Sequence, residues 1–145
     1  MSNLLKDIEA EIVRIVSTVQ PIKATYTAPL FTVGRALPAL LVLYSGFAQQ
    51  PFTQDSFVIQ FDFDCTLYMP LEGRDPTSSW DEIKQMTLDL LKAFRDDWQL
   101  GGVVLWSIID EGRPIVDVPA SPKLKPKWVG HTFKLLTKVQ VQEEG

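Results

Sequence analysis

Two aspartates separated by a single residue are the side chains of this chain best suited to chemistry. Asp62 and Asp64 lie in the run Phe61-Asp62-Phe63-Asp64-Cys65-Thr66-Leu67. Carboxylates can act as nucleophiles on phosphoryl groups and can help to hold Mg²⁺. Apolar and polar residues alternate throughout this run, so both carboxylates are expected on one face of a β-strand. They are either a catalytic pair or part of a solvated sheet face.

The run resembles the nucleophile motif of haloacid-dehalogenase-type phosphatases, in which a strand ends in Asp-x-Asp-Gly-Thr. That resemblance implies a nucleophile at Asp62, a general acid at Asp64 and a bound Mg²⁺. The chain departs from the family because Cys65 replaces the glycine at which the strand turns into the active site. The alternation continues through Leu67, and the later acidic pair Asp96-Asp97 falls in a predicted helix with no strand before it. We therefore predict no enzyme, no metal and no other cofactor, with the phosphatase as a distant alternative.

The remaining candidates for chemistry are isolated residues. His131 is the only histidine and falls on the apolar side of a predicted strand, which favours a hydrogen-bonded core residue over a catalytic one. Three lysines at positions 123, 125 and 127 alternate with other residues in a proline-rich segment. This trio is interpreted as a solvated segment or as a contact to an acidic protein surface, in preference to a nucleic-acid site.

Length, charge and cysteine content further limit the possible domain organisation, partners and cellular compartment of the chain. The 145 residues fit one domain, assigned here to residues 1–145, and the formal net charge of −4 disfavours binding to phosphate backbones or anionic membranes. Cys65 is the only cysteine, which excludes an internal disulfide and a multi-cysteine zinc site. No signal peptide and no membrane-spanning run are recognised, so we expect a protein of a reducing cytosol.

The elements that would position these residues follow from hydrophobic periodicity. A helical stripe precedes Pro21, and a second helix is predicted after a capping box at Ser79–Glu82, stopped by Leu100-Gly101-Gly102. Residues 22–37 have no clear period. Strands are predicted at Pro38–Tyr44, Phe57–Tyr68, Val103–Ile109 and Trp128–Gln142. The order α-β-β-α-β-β predicts an α+β fold, a four-stranded mostly antiparallel sheet with two helices packed on one face.

Two irregular segments carry the candidate partner contacts. Ser45–Ser56 reads as a long loop between strands, and its apolar and amide side chains either meet a partner or fold back on the core. Val116–Lys127 reads as irregular after a turn at residues 110–114, and Pro114–Lys127 is taken as the second candidate segment. The candidate contacts in and beside these segments are Phe47, Gln49, Gln50, Phe52, Arg113, Lys123, Lys125 and Lys127.

The arrangement as a whole resembles the tail terminator, or tail completion, proteins of long-tailed bacteriophages. The resemblance rests on the N-terminal amphipathic helix, the strand Leu37-Pro38-Ala39-Leu40-Leu41-Val42, the long polar loop and the alternating strand after it. It continues through the capped helix ending in Leu100-Gly101-Gly102-Val103-Val104 and the closing strand Gly130-His131-Thr132-Phe133-Lys134-Leu135. It covers nearly the whole chain, although no single motif is diagnostic.

That resemblance implies a structural protein of the virion tail, assembled in the host cytoplasm. Such proteins form rings, commonly homo-hexamers, that bind the end of the tail tube, stop its polymerisation and offer a surface to the head–tail connector. The implied partners are therefore further copies of the chain, the tail tube protein and the connector, with no membrane. DNA would pass through the ring without being specifically bound, which suits an acidic chain. The alternative within the same class is another neck or connector protein.

Overall fold

The computed structural model describes residues 4–28, 38–53, 55–71, 75–117, 123–124 and 127–142. Two α-helices, five strands and one short 3₁₀ turn at Leu100–Gly102 are present in these ranges. The helices and strands are α1 (Leu4–Ser17), β1 (Ala24–Tyr26), β2 (Ala39–Thr53), β3 (Ser56–Pro70), α2 (Pro76–Asp96), β4 (Trp106–Val116) and β5 (Trp128–Gln142).

The sheet has five strands in the order β1-β2-β3-β5-β4 and is mixed. β1 runs parallel to β2, and the other neighbouring pairs are antiparallel. The predicted four-stranded, mostly antiparallel sheet in the order α-β-β-α-β-β is therefore wrong. The missing strand is only three residues long, from Ala24 to Tyr26, too short to produce a recognisable alternation.

β3 is the central strand, and its prediction as one uninterrupted strand is confirmed. It pairs with β2 on one side and with β5 on the other along almost its whole length. Phe63, Cys65 and Leu67 are fully buried, while the residues between them point to the opposite face. Burial of each large apolar side chain contributes ~1.5–3 kcal/mol before the entropy cost of folding.

Both helices join the apolar face of the sheet in a single core, and that side is called here the helix-side face. In α1, Ile8, Ile12 and Val16 recur at helical spacing and are fully buried, as the sequence predicted. In α2, the buried stripe includes Ile83 and Leu90. The other side of the sheet, called the outer face, carries the alternate residues of each strand.

The predicted boundaries of α2 are wrong at both ends. The helix begins at Pro76 with Asp75 as its N-cap, whose Oδ1 accepts from the Thr77 N–H at 3.3 Å. The predicted cap Ser79 is instead buried inside the helix and donates its hydroxyl to the Pro70 carbonyl at 3.2 Å. The helix ends at Asp96, before the glycines, which leaves Trp98 off the predicted stripe and 50% exposed.

The segment Ser45–Ser56 is not a loop, contrary to the prediction. β2 continues through it to Thr53 and forms a hairpin with β3 that closes between Thr53 and Ser56. A one-residue bulge between Tyr44 and Gly46 shifts the alternation, and Gly46 adopts a φ of 148° that disfavours other residues. The break in period, together with Gly46 and Pro51, gave this stretch the appearance of a loop.

β4 also differs from its prediction. The strand starts at Trp106 and continues to Val116, where the sequence had placed a strand at Val103–Ile109 and a turn at residues 110–114. The charged residues of the expected turn form a bulge between Ile109 and Gly112. The irregular segment therefore begins after Val116, and residues 118–122 and 125–126 lie outside the described residues. β5 spans the predicted Trp128–Gln142.

Candidate interaction surface

The β2–β3 hairpin presents the most exposed apolar residue among the candidate contacts. Phe47 is 64% exposed and follows the Gly46 bulge, on the helix-side face of the sheet. Gln49 and Gln50 are also exposed, and they point to opposite faces because successive strand residues alternate. Phe52 belongs to β2 by its backbone, but its side chain lies outside the described residues. Because Phe47 is exposed, it does not fold back on the core, which was one of the two alternatives for this segment. Contact with a partner stays a prediction.

The basic candidates belong to a later part of the chain, on β4 and in the segment before β5. Arg113 is exposed on β4, just beyond the bulge. Lys123 and Lys127 are exposed, and Lys125 lies outside the described residues. The Lys127 backbone is fixed by two hydrogen bonds, since its N–H donates to Asp117 Oδ2 at 2.9 Å and its carbonyl accepts from the Leu71 N–H at 2.9 Å. The sequence candidates therefore form two separate groups, one on the β2–β3 hairpin and one in the later part of the chain, on β4 and before β5.

A shallow groove on the outer face lies beside Arg113. It has a volume of about 420 Å³ and is lined by Asp64, Glu111, Gly112, Arg113, Thr132, Phe133 and Lys134. Two carboxylates and two cationic side chains thus border the groove in equal number. The mixed charge suits polar contact with a protein surface better than selective binding of an anion or a cation.

The two aspartates of the phosphatase-like run lie on the outer face, in the middle of β3. The strand continues for six residues beyond Asp64, to Pro70, so the backbone does not turn at Cys65. Gln60 Nε2 donates to Asp62 Oδ1 at 3.0 Å, which occupies that carboxylate with a neighbour on its own strand. Among the described residues, no group of three or more His, Cys, Asp and Glu side chains is placed to hold a metal ion.

His131 occupies the helix-side face of β5, as its position in the alternation predicted. It is only half-buried, yet its Nδ1 is hidden from solvent and lacks a hydrogen-bond partner among the described residues. The prediction of a hydrogen-bonded core histidine is therefore wrong at this nitrogen. Burial lowers the pKa of His131, and a hydrogen bond to the Thr132 backbone acts in the opposite direction.

Aromatic contacts support the outer face at both ends of the sheet. Tyr68 and Trp128 pack edge to face with ring centroids 4.9 Å apart, beside the last residues of β3. At the other end, Lys138 Nζ lies 5.5 Å from the centre of the Trp106 ring. These contacts cover part of the outer face within the chain.

Within the part of the chain that the structure describes, the sheet has two open edges, a feature that periodicity cannot reveal. β1 pairs only with Ala39–Leu41 of β2, so within the described residues Val42–Thr53 has no strand on its far side. β4 likewise has a neighbour only on its β5 side in the described part of the chain. These two stretches are called here the β2 edge (Val42–Thr53) and the β4 edge (Trp106–Val116).

Exposed apolar side chains accompany both edges. Tyr44 is 41% exposed on the β2 edge, and Ile108 and Val116 are 54% and 47% exposed on the β4 edge. Periodicity and composition did not point to these three residues. One signal in the sequence could have indicated an edge that is able to pair, namely the absence of any charged residue from Val42 to Thr53. Edge strands that avoid pairing with other strands usually carry charged residues.

Comparison with protein-family models and with curated protein sequences found no match to this chain. Neither α1 nor α2 has the length and apolar character needed to cross a bilayer, and no other helix in the described residues does.

Proposed function

We propose that this chain is a structural phage assembly protein that acts as a ring, caps the end of the tail tube and offers a joining surface to the head–tail connector. The observation that carries the proposal is the long β2–β3 hairpin, whose residues 47–51 are exposed and include Phe47 at 64% exposure. A hairpin of this kind is a ready contact for the flat end of a protein tube.

The chemistry of the outer face favours contact over catalysis. Asp62 and Asp64 lie in the middle of an uninterrupted strand, and Asp62 accepts a hydrogen bond from Gln60. Equal numbers of acidic and basic side chains line the nearby groove. This surface is suited to a protein partner, and the neck or connector alternative would use the same features.

The proposal is tested by mixing the purified chain with tail-tube subunits from the same phage and measuring tube lengths by negative-stain imaging. We expect density at the tube ends and tubes that stop growing as the chain is added. Phe47→Ser should weaken this effect, whereas Leu88→Ser, at a residue 59% exposed on α2, should not. Tubes of unchanged length and bare ends would contradict the proposal, and binding to connector rings alone would favour the neck alternative.

An enzymatic control accompanies this test. The chain is assayed with Mg²⁺ and p-nitrophenyl phosphate, and we expect no hydrolysis above background from the wild-type chain or from Asp62→Asn. Hydrolysis that Asp62→Asn abolishes would replace the assembly proposal with the phosphatase.

A further inference from the structure

The two open edges of the sheet form a matched pair. Trp106 on the β4 edge lies in the same row of the sheet as Ala48 on the β2 edge, through Lys138 and Gln60. By the same pairing, Ile109 lies in the row of Tyr44, through Leu135 and Phe63. The rows from Tyr44 to Ala48 and from Ile109 to Trp106 are therefore level with one another on opposite sides of the molecule.

These level stretches agree in chemistry. The β2 edge has no charged residue from Val42 to Thr53, and the β4 edge has none from Trp106 to Ile109. Placing one against the other would bury no unpaired charge, which is the usual cost of joining protein surfaces. The charged bulge of β4 follows Ile109 and lies outside this stretch. Its rows are nearer to Ala39–Leu41, the part of β2 that pairs with β1.

Each edge strand carries a bulge close to the row that contains Phe63 and Leu135. The extra residue of β2 lies between this row and the row of Asp62, whereas that of β4 lies between this row and the row of Cys65. A bulge bends its strand and disrupts the ladder locally. The β4 bulge therefore lies outside the uncharged stretch Trp106–Ile109, which keeps a regular ladder with β5.

Strand direction allows the same pairing. β2, β3, β5 and β4 alternate in direction across the sheet, so β2 and β4 run in opposite directions. When two copies are placed side by side in the same orientation, β4 of one therefore runs antiparallel to β2 of the next. Antiparallel ladders form readily between separate segments.

We propose that the β4 edge of one copy pairs with the β2 edge of the next copy, joining the sheets of neighbouring subunits. The occupant of each edge is thus a second copy of this chain, and the contact is heterologous because it uses two different surfaces. Repeated heterologous contacts give a closed ring when the rotation closes. This inference rests on the proposed ring and names the surfaces that build it. Pro51 and Pro114 lack an N–H, but both lie outside the level stretches Tyr44–Ala48 and Trp106–Ile109, where the ladder would form.

The test uses one variant for each edge. Ala48→Lys with Gln50→Lys forms the β2 variant, and Ile108→Lys forms the β4 variant, all at exposed positions on the outer face. Each variant should raise the protein concentration at which half of the chains are assembled by about tenfold or more. Light scattering measures this from the average mass of the particles in solution. Leu88→Lys, away from both edges, should leave assembly unchanged. Circular dichroism and thermal unfolding establish that every variant is folded.

Mixing the two variants distinguishes heterologous from symmetric pairing. Each variant alone retains one intact edge of a different kind, so an equimolar mixture should give a one-to-one dimer that grows no further. A β4 variant that assembles as well as the wild-type chain would indicate β2–β2 pairing and overturn the inference. A wild-type chain that remains monomeric at about 1 mM would also overturn it.

The outcomes for pairing and for function remain separate. If the wild-type chain caps tail tubes and both edge variants form particles of the same mass as the wild type, the proposed function is retained and edge pairing is refuted. Rings that depend on both edges but leave tube length unchanged would retain edge pairing and refute tube capping.

Discussion

Arg14 of α1 donates a hydrogen bond from Nη2 to Oδ2 of Asp97, which follows α2, with the two atoms 2.5 Å apart. The same guanidinium also contacts Glu11 through Nε. Asp97 in turn accepts from the Gly101 N–H through Oδ1 at 2.9 Å. This small network joins the two helices at the point where the chain leaves α2 for the sheet.

Replacing Asp97 should expose the contribution of this network. Asp97→Asn is expected to lower stability slightly, because the pair is largely solvent-accessible and water screens it. The Arg14 and Gly101 hydrogen bonds lower the pKa of Asp97, so its contribution is complete above the ordinary carboxyl pKa and is lost as the pH falls through the lowered value. Urea unfolding from neutral to acidic pH measures this loss. Asp96→Asn, at the exposed neighbour, is the matched control and should change the pH profile less.

His131 should make the protein less stable at mildly acidic pH. Burial lowers its pKa in the folded chain, so protonation favours the unfolded state. Stability is complete above the ordinary histidine pKa of about 6.5 and decreases as the pH falls toward the folded value. His131→Gln should flatten this part of the profile, measured as the urea midpoint from about pH 7 to pH 5. Wild-type stability that increases on acidification over this range would contradict the assignment. The chain has no other histidine to obscure the result.

The thiol of Cys65 should be unreactive in the folded protein. It is fully buried in the centre of β3, and burial raises its pKa far above the ordinary thiol value, with the nearby Asp64 charge adding to the effect. A disulfide reagent at neutral pH should label the chain only after denaturant is added. Cys65→Ser should cost about 1–3 kcal/mol because it places a hydroxyl in an apolar core. Cys65→Ala provides the comparison without a polar atom, and rapid labelling of native protein would refute this burial.

Gly101 should resist substitution for two separable reasons. Its φ is 68°, and an added Cβ would lie 2.9 Å from Glu11 Oε2. Gly101→Ala is expected to cost about 1–2 kcal/mol from backbone conformation, and more if the glutamate cannot move. Gly102→Ala is the control, since φ there is 92° but an added Cβ would have no neighbour within 4 Å.

A double-mutant cycle separates the two causes. Adding Glu11→Ala should recover part of the loss from Gly101→Ala and none of the loss from Gly102→Ala, as measured by denaturant unfolding. Equal recovery in both backgrounds would show that Glu11 does not restrict Gly101.

Periodicity predicted the elements that carry a regular pattern along most of their length. The alternation around Phe63 located β3, and the apolar stripe of α1 matches its buried face. It failed where one residue altered the pattern, since the bulges after Tyr44 and Ile109 each ended a predicted strand too early. It also failed for β1, which is stabilised by pairing with Ala39–Leu41 and has little pattern of its own.

The candidate surface was predictable only in part. Phe47, Gln49 and Gln50 were recognised from composition, and their exposure agrees with a contact role that remains a prediction. The open edges were missed because the edge position of a strand depends on pairing between distant segments, here β3 with β5. No local feature of Tyr44 or Ile108 determines whether another strand lies beside it.

The central position of β3 has a consequence for synthesis of the chain. One neighbour, β2, precedes it directly, whereas the bond from Thr132 Oγ1 to the Cys65 carbonyl joins residues 67 positions apart. During translation β3 must therefore wait for β5 with one side of its ladder unsatisfied and with Phe63 and Leu67 incompletely covered. Nascent chains that stall before Trp128 would be the species most prone to aggregate and most dependent on chaperones.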